Sequence, residues 1–152
     1  TIVGVDAAPH MLAIGQKNIA AAELSGRVTL HMVDAKQLPY PDERFSSVIS
    51  NSIVHHIPEP RSMLVEAIRV CVSKGTLFIR DLLRPADMHE LNRLVELYAG
   101  GATKHQRQLF AESLHAALTL REIQDLVAEF GFEPHSVAAT SDRHWTWAAR
   151  KP

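Results

Sequence analysis

The chain has 152 residues, a net charge of -1, and 46% hydrophobic and 22% charged residues. That length makes one domain with room for a real core. The near-neutral charge carries no footprint for nucleic acid or an anionic membrane, and no apolar run approaches the ~20 residues of a membrane span. The single cysteine, Cys71, excludes an internal disulfide and fits a reducing cytosol, so a cytoplasmic location is expected. The sequence opens directly on the apolar run Thr1-Ile2-Val3-Gly4-Val5, with no leader, and the expectation is that the front of the domain is missing.

In chain order, the first run reads as a strand ending at Asp6, followed by a helix from Pro9 to about Leu24 with Met11, Gly15, Ile19 and Ala22 on one stripe. Val28 to Val33 alternates as a less buried strand, Asp34 to Arg44 is a polar loop with Pro39 and Pro41, and Phe45 to Ser52 is a third strand. A helix is predicted over Arg61 to Val72 with Leu64, Ala67, Ile68 and Cys71 inward, then a turn at Lys74-Gly75 into a central strand, Thr76 to Ile79. This alternation predicts an α/β fold with a mostly parallel sheet and helices on both faces.

Pro85 to Leu118 breaks the rhythm with two consecutive helices separated by Gly100-Gly101, the first carrying Met88, Leu91, Val95 and Tyr98. It reads as a helical insertion over the substrate side. Thr119-Leu120-Arg121-Glu122 is a capping box opening a further helix. His135 to Thr140 and His144 to Ala149 then form an antiparallel strand pair around Ser141-Asp142-Arg143, with Trp145 and Trp147 packed against a helix. Residues 1-152 are therefore expected to form a single, partial domain.

In doubly wound sheets, ligands bind beyond the carboxyl ends of the strands. Those ends here carry Asp6, Asp34, Ser50-Asn51-Ser52 and Asp81. An acid on one strand tip can accept both hydroxyls of a ribose, and an acid one strand over can accept the exocyclic amine of adenine. Either acid alone reads more simply as a turn or helix-capping residue. His55, His56 and Asp81 lie where a general base could sit, although a histidine pair here also suits a cap on the following helix. No ligand set with metal-like spacing accompanies them.

The ordered text around these residues is more specific. Gly4-Val5-Asp6-x-x-x-x-Met11-Leu12, then Asp34-Ala35-x-x-Leu38-Pro39-Tyr40-Pro41-Asp42-x-x-Phe45-x-x-Val48, then Ser50-x-x-x-x-His55-His56-Ile57-x-x-Pro60, Glu66-x-x-Arg69-Val70 and Gly75-Thr76-Leu77 resemble class I S-adenosylmethionine-dependent methyltransferases. The similarity is to the small-molecule branch that includes quinone-biosynthesis enzymes. The resemblance implies a Rossmann-like doubly wound sheet that ends in an antiparallel strand pair. It also implies that the family's first strand and glycine-rich loop would precede Thr1, and that the cofactor is S-adenosylmethionine. Asp6 would hold the ribose hydroxyls, with Ala7 and Met11 lining the adenosine pocket. Asp34 would meet the adenine amine, Ala35 would offer its backbone amide, and Asn51 would pass near the methionine moiety. His56 and Asp81 are the candidate bases for methyl transfer to a small-molecule acceptor.

In the family the missing strand belongs at the sheet centre, between Ile2–Val5 and Ser47–Ser50. Without it those two strands are expected to close up and pair directly, satisfying the most backbone. Two other functions fit parts of the sequence. One is a non-catalytic remnant or nucleoside-binding module of the same fold. The other is a nicotinamide-dependent oxidoreductase, which also uses an acid after its second strand but would need a Tyr-x-x-x-Lys pair that this chain lacks.

Overall fold

The computed structural model describes residues 1–152. Its elements are β1 (Ile2–Asp6), α1 (Pro9–Ala21), β2 (Val28–Met32), β3 (Phe45–Asn51), a 3-10 turn (Val54–His56), α2 (Pro60–Val70), β4 (Cys71–Leu82), α3 (Met88–Ala99), α4 (Lys104–Ala116), α5 (Leu120–Glu129), β5 (Val137–Ser141) and β6 (His144–Arg150). Local chemistry sets most boundaries. Pro9 and Pro60 occupy first-turn positions, and the Glu59 carboxylate accepts from the amides of Arg61 and Ser62. The expected capping box of Thr119 and Glu122 opens α5. A second box, Thr103 with Gln106, opens α4.

The helix expected to reach Val72 ends at Val70, so Cys71 begins β4 rather than lying on a helix face. The Lys74-Gly75 turn survives as an irregularity inside that long strand: Phe45 pairs with Cys71, but Ser47 pairs with Thr76. Lys74 takes a φ of 61°, and a side chain at Gly75 would meet Cys71 Sγ at 2.6 Å and the Val72 carbonyl at 2.7 Å. Glycine is required there by space.

The strands form two sheets. β1 and β2 pair in parallel, from Ile2 opposite Val28 to Asp6 opposite Met32. The second sheet has the order β3-β4-β6-β5, with β3 and β4 parallel and β6 antiparallel to both its neighbours. The expected closure does not occur: Ile2–Val5 is not paired with Ser47–Ser50, and the space between β1 and β3 stays open. The reason lies in the connecting loop. Tyr40 stands between His31 on β2 and Phe45 on β3, and α2 grips the loop backbone, so the strands are held apart.

The core lies on one face of the four-stranded sheet. Leu77, Ile79, Trp145 and Trp147 pack there against Leu64 and Ala67 of α2 and Ile123 and Val127 of α5. Phe132 meets Trp147 edge-on at 5.0 Å. Alternation along the strands turns Ile49 and Phe78 to the opposite face, where both are exposed. The α3–α4 hairpin has its own small core, Leu91, Leu94, Val95, Leu114 and Ala117 against Leu82, so it hangs from the carboxyl end of β4.

β1, α1 and β2 pack differently. α1 buries no residue fully, and its packing centres on Leu30. A side chain at Gly4 would meet Leu30 Cδ2 at 2.7 Å, and one at Gly15 would meet Leu30 Cδ1 at 2.9 Å.

Candidate functional site

The largest concavity is a cleft of about 1120 Å³ at the open space between β1 and β3. Its walls include Asp6, Ala7 and Met11 from the β1–α1 corner, Asp34 and Ala35 from the loop after β2, and Asn51 and His56 from the end of β3 and the 3-10 turn. Seven of the eight residues singled out in the sequence thus border one cavity, and Asp81 does not.

Each acid on the first wall has a local partner. Asp6 Oδ1 accepts from the Ala8 amide at 2.7 Å, which orients the carboxylate at the mouth of α1 and leaves Oδ2 without a partner. Asp34 Oδ1 accepts from the Lys36 amide at 2.9 Å, and its other oxygen pairs with the exposed Lys36 ammonium at 2.9 Å. These bonds, the backbone one foremost, hold the Asp34 carboxyl below its ordinary range. The Ala35 amide makes no hydrogen bond within the chain, so a donor stands free beside an acceptor. A free N–H next to a carboxylate matches the acceptor-and-donor edge of adenine, and Asp6 Oδ2 is free for a ribose hydroxyl. The residues present fit a nucleoside.

The second wall carries imidazoles. The Asp81 carboxylate is fully buried and saturated. It accepts from the Val54 amide at 2.6 Å, the Leu82 amide at 2.7 Å and His55 Nδ1 at 2.6 Å. His55 is itself nearly buried, and its ring lies against that of His56, which faces the cleft, with centroids 4.0 Å apart and planes tilted by 43°. Burial foremost, then the charge of His55, pushes the His56 imidazole below its ordinary value; Asp81 opposes this. These surroundings favour the neutral form of the His56 imidazole.

No residue of α3 or α4 lines this cleft, but α4 packs against the 3-10 turn that carries His56. A smaller hollow of about 230 Å³ lies on the hairpin, between Arg84, Asp87, Met88 and His115. No group of three or more His, Cys, Asp or Glu is arranged to hold a metal, and no helix is long and apolar enough to cross a membrane.

Three contacts around the cleft escape a reading of residue order. His55 reaches Asp81 across 26 positions, Tyr40 bridges β2 to β3, and Glu66 with Arg69 holds the loop after β2. The Glu-x-x-Arg spacing on a helix is the only local signal of the last, since residues three apart share a helix face.

Residues 1–79 match the methyltransferase domain family. This chain belongs to the class I methyltransferases, whose methyl donor is S-adenosylmethionine. It is 31% identical over 134 residues to a 27-O-demethylrifamycin SV methyltransferase of Amycolatopsis mediterranei, covering 86% of this chain and 46% of that protein. It is 30% identical over 84 residues to a ubiquinone/menaquinone biosynthesis C-methyltransferase of Geobacter sulfurreducens, covering 55% of this chain and 33% of the relative. The chain thus spans less than half the length of either relative. Among solved structures, a SAM-dependent methyltransferase from Aquifex aeolicus superposes with a TM-score of 0.69 at 14% identity, over 99% of this chain and 68% of that one, which shows the shared fold.

Proposed function

We propose that the cleft binds the adenosine half of S-adenosylmethionine and that the domain transfers its methyl group to a small-molecule acceptor. The observation that carries this is the single cleft wall on which Asp6, Asp34 and the free Ala35 amide stand together. Asp6 Oδ2 accepts from the ribose, Asp34 accepts from the adenine amine in competition with exposed Lys36, and Met11 and Ala7 supply apolar contact. Asn51, across the cleft, orients the methionine end. The cofactor, when bound, supplies an already activated methyl, so the chain's task is mainly alignment.

His56 is the proton acceptor for an acceptor group that must lose a proton as it attacks. Asp81 acts through another residue: it accepts from His55 Nδ1 and so orients that ring, and His55 holds the His56 ring by contact. The helices between Pro85 and Leu118 shape the acceptor side indirectly, since α4 bears on the turn carrying His56. The two relatives' names, an antibiotic and a quinone methyltransferase, support a small-molecule acceptor.

Asp6→Ala is expected to weaken S-adenosylmethionine binding by roughly 1.5–3 kcal/mol, the range for hydrogen bonds to a charged group. Asp34→Ala should cost less, because Lys36 already shares that carboxylate. Titration calorimetry showing unchanged affinity in both variants would reject the assignment. A second reading is a nucleoside-binding module without turnover, since the groups that fit a nucleoside stand together on one wall of the cleft. Equal affinities for adenosine and S-adenosylhomocysteine would support it, because the amino-acid half would then contribute nothing.

A further inference from the structure

Residues 1–32 and residues 45–152 share no hydrogen bond and no ion pair. α1 rests on β1 and β2, while α2 rests on β3 and β4, with no extensive packing between the two groups. Within residues 1–152 the walls of the cleft are joined by the 33–44 loop, and α2 grips that loop by its backbone. Glu66 Oε2 accepts from the Leu38 amide at 2.6 Å. Arg69 donates to the Leu38 carbonyl at 3.0 Å and to the Tyr40 carbonyl at 2.7 Å. The Glu43 amide donates in return to the Arg69 carbonyl at 3.0 Å. Arg69 and Glu66 hold each other through two bonds of 2.6 and 2.8 Å, and both side chains are largely buried. Tyr40, whose carbonyl Arg69 holds, bonds His31 on β2 at 2.7 Å through its hydroxyl and meets Phe45 on β3 edge-on at 5.2 Å. One gripped residue therefore touches both walls.

We infer that Glu66 and Arg69 are positioning residues that set the separation between the wall bearing Asp6 and Asp34 and the wall bearing Asn51 and His56. The ligand consequence rests on the nucleoside reading above; the mechanical consequence does not. The task requires a guanidinium. Arg69 reaches two carbonyls, Glu66 and Asp42 from one planar fork, and a lysine ammonium offers one nitrogen for all four. Neither residue is within the cleft lining, so each acts by holding the loop.

The test uses the 152-residue chain with spin labels at Lys17→Cys on α1 and Arg121→Cys on α5. Cys71 is buried, and burial pushes its thiol up, so it labels slowly. Electron–electron distance measurements should give one narrow distribution in the doubly labelled parent and a broadened one in Arg69→Lys. Glu66→Gln should broaden it as well, and it replaces Arg69→Lys should that variant fail to fold. Affinity for S-adenosylhomocysteine should fall roughly tenfold if the right spacing is held by one molecule in ten. Unfolding followed by the core tryptophans should stay in place, which separates positioning from a general loss of structure. A distribution equally narrow in the folded variants, or already broad in the parent, would overturn the inference. A broadened variant distribution in a chain that never binds S-adenosylhomocysteine would support the clamp and reject the nucleoside reading.

Discussion

The unit of β1, α1 and β2 and the four-stranded sheet with α2 and α5 are built to different standards. All 23 buried residues lie at Val54 or beyond, so the first unit contributes none to the core. Its strands pair well and its helix packs on Leu30, but a two-stranded sheet with one helix cannot exclude water from a large apolar volume. The candidate nucleoside wall therefore sits on the less stable half, and the imidazole wall sits against the rigid half. Binding residues on a weakly packed element borrow their geometry from whatever ties that element down. Here the tie is the loop after β2.

The largest expected effect tests the rigid half. Trp147→Ala removes a fully buried ring that meets Phe132 and lies opposite Ile79 in the sheet. It should cost about 3–5 kcal/mol, read as a shift of the chemical denaturation midpoint for the whole chain. If the variant lost far less, the core would not be the common foundation of both halves.

A smaller effect tests the other half. Leu30 is only partly buried, so Leu30→Ala should cost about 1–2 kcal/mol, below the usual range for a fully buried leucine. The loss should be local: amide exchange in β1 and β2 accelerates, while the transition reported by Trp145 and Trp147 stays where it was. A tryptophan transition that moved with Leu30 would show that the two halves unfold as one and would erase the distinction between them.

Much of this division could be read from residue order, and the exceptions are physical. Strand ends at Asp6 and Asn51 follow from apolar runs broken by polar residues, and with Asp34, two residues past the end of β2, they border one cleft. The pairing of Trp145 and Trp147 with a helix followed from alternation, and α5 supplies it. The expected contact between Ile2–Val5 and Ser47–Ser50 was wrong because it weighed unpaired backbone alone. The opposing force comes from Glu66 and Arg69, about thirty residues along the chain, acting on a loop that carries no periodic signal. The same holds for His55 and Asp81, whose bond depends on β4 bringing its end beside the 3-10 turn. Residue order identifies groups that end elements; it does not say which distant side chain will meet them.

The smallest expected effect is a pH dependence that sharpens the contrast, because both histidines responsible belong to the rigid half. His144 Nδ1 faces the Arg80 guanidinium at 3.1 Å and the Ser141 hydroxyl at 2.9 Å, so it serves as an acceptor, and a proton there would remove that role. Burial first, then the charges of Arg80 and Arg143, pushes His144 below its ordinary 6.5, with Asp81 and Asp142 opposing. His56 is pushed down in the same direction by burial and by His55. A histidine whose folded value lies below its unfolded one binds more protons when unfolded, so stability is full above the ordinary 6.5 and declines as pH falls from there toward the folded values. Carboxylates such as Glu66, held below 4.5 chiefly by Arg69, add their own loss only at lower pH. Melting temperatures measured from pH 7.5 down to about 5.5 should therefore drift downward in the parent. The drift should flatten in His144→Gln, and flatten again when His56→Gln is added. Equal slopes in all three chains would mean that these two imidazoles titrate alike in the folded and the unfolded chain, and the acid dependence would then be no mark of the rigid half.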